Sequence, residues 1–114
     1  MKLNTAIVLT IALGGVIAYG TLSSPGSGGS SMPLNDKLIH FIAFAVLVLP
    51  LGWTRPTWLL WVAAVALAYG AAIEVIQPHV GRSGEWGDLL ADGLGILAGV
   101  IPGLLKQRYQ TAQR

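Results

Sequence analysis

From Glu74 to Gly99 the chain reads EVIQPHVGRSGEWGDLLADGLGILAG, which sets an acid, an amide, a base and three more acids between two apolar runs. Upstream, Asp36, Lys37 and His40 head another apolar run, with Asp36, His40 and Phe44 stepping by four along one helical stripe. Three kinds of chemistry are open to such a set. Arg82 and Lys37 could meet an anionic headgroup while Asp36, Glu74 and Asp88 orient them, because the planar guanidinium fork makes bidentate bonds to phosphate. His40 with Asp36 one turn away could form a general base with its orienting carboxylate, or His40, Glu74, Asp88 and Asp92 could hold a divalent metal. The bland alternative is a clamp, in which Arg82 pairs with Asp88 or Glu74 and Lys37 with another acid, holding helix ends together.

The motifs that would favour catalysis are missing. There is no HExxH, no GxSxG and no phosphate loop, and a serine nucleophile would have to be Ser83, which no pattern supports. With no cysteine there is neither a thiolate nucleophile nor a disulfide. His79, beside Pro78, reads as a loop residue. The leading expectation is recognition by Asp36, Lys37, His40, Glu74, Gln77, Arg82, Asp88 and Asp92, with no metal and no cofactor, and catalysis as the lesser reading.

Composition says where such a site must sit. Charged residues are 11% of the chain against 54% hydrophobic, while a soluble domain carries about 25% charged. So few charges cannot cover the surface of a water-soluble fold of 114 residues. The net charge of +2 comes from scattered bases, so the basic footprint of a nucleic-acid-binding protein is lacking.

Four segments are long enough to position the polar groups. Leu3 to Leu22 is a nearly unbroken apolar run behind Lys2, matching the ~20 residues that cross ~30 Å of hydrocarbon. It reads as a first transmembrane helix over 1–22, an uncleaved signal anchor; Ala18-Tyr19-Gly20 leaves cleavage as the alternative. Residues 23–31, SSPGSGGSS, form a flexible Gly/Ser linker of about 15 to 18 Å root-mean-square reach. Residues 32–105 form a membrane domain with three transmembrane helices, and 106–114 a basic tail. In the second span Asn35 is placed as N-cap, and the apolar part runs from Leu38 to Trp53. A tight turn at Thr54 to Thr57, flanked by Trp53, Trp58 and Trp61 as an interfacial belt, makes the third span, Trp58 to Ile76, its antiparallel neighbour. In the fourth, Leu89 to Leu105, Asp88, Asp92, Gly95 and Gly99 share a stripe that Gly103 extends. Its GxxxG spacing lets another helix approach closely. The fold expected is all-α, a polytopic membrane helix bundle with four transmembrane helices.

Orientation follows from the bases. A cytoplasmic amino terminus puts Lys2, Arg55, Lys106, Arg108 and Arg114 inside and only Lys37 and Arg82 outside, which favours both termini in the cytoplasm. The polar residues of three segments then meet at the extracytoplasmic end.

Those same residues carry a resemblance. DKLIHFIAF at Asp36 to Phe44, the Glu74 and Gln77 pair, and GRSGEWGDLLADGLGILAG at Gly81 to Gly99 resemble the VanZ-like family of small bacterial membrane proteins. The resemblance covers Asp36 to Gly99 and rests on three separated blocks matching in order. By it, Asp36, Lys37, His40, Phe41, Glu74, Gln77, Arg82, Asp88, Gly95 and Gly99 are signature positions. Asp92 departs from the pattern, which more often has Asn there, so a role needing a neutral amide is not carried over. The resemblance implies a multi-span helical membrane domain in the bacterial inner membrane and, through its best-known member, an association with teicoplanin resistance. The partners it suggests are membrane lipids and a lipid-linked cell-wall precursor. A homo-oligomer through GxxxG packing is a further option.

Overall fold

The structure is a computed structural model that describes residues 1–22, 33–76 and 86–113; of residues 33–36 and 86 only the backbone is described. The described residues form four α-helices: α1 (Leu3–Leu22), α2 (Pro33–Thr54), α3 (Leu59–Ile76) and α4 (Trp86–Ala112), with a 3-10 turn at Pro56–Trp58 leading into α3. No strand occurs among the described residues. The spans of apolar helix are 20, 18, 21 and 26 residues long, each enough to cross a bilayer. The protein is therefore an all-α, four-helix polytopic membrane bundle. The Gly/Ser linker lies outside the described residues.

Two boundaries move from those the sequence suggests. α2 begins at Pro33, so Asn35 lies inside the first turn and does not cap it. Proline suits that first position because its fixed φ is already helical and its missing N–H would have had no partner there. α4 continues past Leu105 to Ala112 and carries Lys106 and Arg108 on its last turns. Lys106 donates from Nζ to the carbonyl of Trp53 at 2.8 Å, and its ammonium lies 4.8 Å from the Trp53 ring centroid. That contact ties the ends of α2 and α4 together at the membrane border.

α2 and α4 make the central pair, and they run parallel. Gly95 lies against the backbone of Phe41, Gly99 against that of Ala45, and Gly103 against that of Gly52. The partners advance together along both chains, as they must when α3 returns the chain across the bilayer between them. A Cβ at Gly99 would stand 2.9 Å from Ala45 Cα, so only glycine allows this approach.

α3 packs on this pair, and α1 lies against α2 and α3. The buried core joins all four helices through Ile17, Phe44, Val48, Ala66, Ile73, Ile96 and Val100. Tyr69 on α3 donates its hydroxyl to the carbonyl of Gly14 and so pins α1. Large apolar side chains such as Val16, Ile39, Leu60 and Leu97 point outward, as a surface facing lipid requires.

Candidate functional site

The polar residues gather where α2 and α4 begin and α3 ends. His40 (α2), Glu74 (α3), Asp88 and Asp92 (both α4) are the buried charged or polar side chains among the described residues, each no more than 4% exposed. Their convergence is set by the helix pair: the glycine row fixes α4 against α2, and toward the start of both helices that register puts Asp92 and Asp88, one and two turns before Gly95, beside His40 and Lys37.

His40 is central. Its Nδ1 lies 2.7 Å from Asp92 Oδ1, and its Nε2 lies 3.7 Å from Asp88 Oδ2. An ionised carboxylate only accepts, so in that state Nδ1–H donates to Asp92. Lys37 donates from Nζ to Asp88 Oδ1 at 3.3 Å. A chain of contacts thus runs Lys37, Asp88, His40, Asp92, from the half-open edge of the bundle to a fully buried carboxylate.

Glu74 closes the set from the third helix. One donor atom from each of His40, Glu74 and Asp92 lies within 4.8 Å of the others. Gly70, one turn before Glu74, makes this possible: a Cβ there would come 2.7 Å from Asp92 Oδ2 and 3.3 Å from the Phe44 ring. Nitrogen and oxygen donors in this combination suit a divalent cation, and an imidazole held by carboxylates also suits proton transfer.

The residues expected from the sequence divide as follows. Lys37, His40, Glu74, Asp88 and Asp92 come together. Asp36 is in the first turn of α2, and its side chain is not described. Gln77 and Arg82, with the loop residue His79, lie outside the described residues. Gly95, Gly99 and Gly103 face α2 of the same chain. Among the described side chains the close carboxylate of His40 is Asp92, brought to its ring by the register between α2 and α4; the expected contact with Asp36 lies outside the described side chains. Gly70 was missed, although a glycine one turn before an acid near the end of a span was there to be read.

An apolar cavity of about 520 Å³ opens between α1, α2 and α3, lined by Gly14, Leu47, Leu51, Trp61, Val65 and Tyr69 among others. None of the cluster's acids lines it.

The comparisons with known proteins meet this geometry. No curated relative and no solved structure matches the chain. A family model, VanZ/LLP1, matches residues 12–106. The match begins within α1, before the Asp36 block, and extends through the glycine row to Lys106, so it takes in every residue of the cluster. On that extent of agreement the chain belongs to the VanZ/LLP1 family.

Proposed function

We propose that this VanZ-family membrane protein recognises an anionic amphiphile of the bacterial envelope, a lipid headgroup or a lipid-linked wall precursor, at the extracytoplasmic end of its bundle. The observation that carries the reading is Lys37. Its ammonium is held 3.3 Å from the buried Asp88 carboxylate, while the side chain keeps 37% of its surface exposed at the edge of the cluster. A lysine oriented by a buried carboxylate and partly exposed is suited to an acidic headgroup at the bilayer surface. Arg82 supplies the second base of the proposal, bidentate to the same phosphate or carboxylate. The excess of bases at the opposite ends supports an inner-membrane topology with both termini in the cytoplasm. A bearing on glycopeptide susceptibility follows from the family by association alone, because function is fixed by a site and not by a fold.

Native mass spectrometry of the gently solubilised protein tests this. An anionic amphiphile should accompany the wild type and be lost from Arg82→Ala and Lys37→Met, both still inserted. Retention by both variants, or a wild type carrying only zwitterionic lipid, would sink the reading.

A second reading is favoured by one contact. The buried 2.7 Å pair of His40 and Asp92 is the arrangement of a general base and its orienting carboxylate, which would make the protein a membrane-embedded enzyme acting on a lipid headgroup. Lipid turned over by the purified protein would decide for it.

A further inference from the structure

We infer that His40, Glu74 and Asp92 form a divalent-cation site buried in the bundle, with Asp88 as the carboxylate that orients the imidazole. The donors come from three helices and lie within 4.8 Å of one another, each residue at most 4% exposed. Two features separate this from acids that merely lie close. The set includes an imidazole whose second nitrogen faces a second carboxylate, His40 Nε2 to Asp88 Oδ2 at 3.7 Å, the outer-shell pattern that fixes tautomer and basicity in metal-binding histidines. Gly70 also hollows α3 where the Asp92 carboxylate stands, since a Cβ there would come 2.7 Å from Oδ2.

One nitrogen and two carboxylate oxygens match manganese or zinc better than calcium, which asks for six to eight oxygens. Donors about 2.0 to 2.2 Å from an ion stand about 3.4 Å apart in a tetrahedron, so a separation at the 4.8 Å limit has to draw in by about 1.4 Å.

Binding redistributes one proton. In the neutral ring without the ion, Nδ1–H donates to Asp92 and Nε2 carries no proton. With the ion, the Nδ1 lone pair faces the metal and the proton resides on Nε2, donating to Asp88. Three protein donors leave a coordination position open. On the amphiphile reading proposed above, and only on it, that position takes a phosphate oxygen, which explains how an acid-rich pocket can meet an anion.

The test uses full-length protein in phosphatidylcholine nanodiscs, stripped with EDTA and titrated with Mn²⁺ or Zn²⁺, with Ca²⁺ and empty discs as controls. One ion per chain is expected, with affinity falling at least ~10-fold in Glu74→Gln and in Asp92→Asn, each nearly isosteric with the native residue. In a His79→Asn background, which leaves His40 as the sole imidazole, Zn²⁺ should move the ¹⁵N signature from the Nδ1–H to the Nε2–H tautomer. This readout on otherwise native protein does not depend on the variants folding. Uptake no greater than in empty discs, or an unmoved tautomer, overturns the site. Discs doped with undecaprenyl phosphate distinguish the two proposals. Ion uptake without retention of that lipid removes the amphiphile reading alone, and retention without ion uptake removes the metal alone.

Discussion

Gly95 on α4 lies so close to the carbonyl of Phe41 on α2 that a single added methyl group would overlap the oxygen. The neighbour is backbone in mid-helix, which cannot swing aside as a side chain would. Because α2 and α4 are parallel, this contact sets the register of the whole pair, including the meeting of Asp92 with His40 one turn away. The packing row and the polar cluster are parts of one arrangement.

Gly95→Ala should accordingly separate the helices and weaken the bundle by about 1 to 3 kcal/mol, the usual cost of overpacking. Gly20→Ala on α1 is the control, since nothing stands within 4 Å of its added methyl. Denaturant-driven unfolding in micelles compares them. Equal stability of the two variants would mean that α4 does not seat on α2 as described.

Lys37 and Asp88 give an asymmetric prediction. Asp88 is 3% exposed at its side chain and Lys37 37%, so removing the base takes a counter-charge from a buried carboxyl while removing the acid leaves a lysine that can reach water. Lys37→Met should therefore reduce stability more than Asp88→Asn, and the double variant should recover part of the loss. Unfolding midpoints in nanodiscs measure this. The opposite ranking would show that the Asp88 carboxyl is neutral in the native state.

Tyr69→Phe removes the hydrogen bond to the Gly14 carbonyl while keeping the ring that lies 6.4 Å from Phe44 by centroids. Hydrogen bonds between membrane helices average about 0.6 kcal/mol and reach about 1.7, so a loss in that range is expected. It should be felt at α1, read as faster proteolysis in the segment after Leu22, with headgroup recognition unchanged. An equal loss of recognition would join α1 to the polar cluster.

How far these features could be read from the sequence depended on whether one helix or two defined them. The four spans follow from run length alone, because the hydrocarbon core imposes a minimum number of apolar residues. The stripe from Asp88 to Gly99 follows from helical period, and α4 does bury one side of itself there. The contact of His40 with Asp92, 52 residues on, did not follow, because its register is set by glycine contacts that periodicity cannot specify. Glu74 and Asp92 could be grouped from the sequence as donors at one end of the bundle, but the notch at Gly70 that lets them stand side by side could not. What a single helix dictates could be read; the register on which two helices agree needed the structure.

The His40 and Asp92 pair allows the sharpest test of that agreement. Both are buried, 2.7 Å apart, and on different helices, so neither can be satisfied by moving into water. In a double-mutant cycle of His40→Gln, Asp92→Asn and the two together, the coupling energy should exceed the ~0.6 kcal/mol average for membrane hydrogen bonds, because one partner carries charge. The same cycle in a Gly95→Ala background should lose most of that coupling, since a shifted α4 carries Asp92 away from the ring. Full coupling surviving in the shifted protein would mean that the glycine row and the polar cluster are independent, and that something other than the α2–α4 register brings the imidazole to its carboxylate.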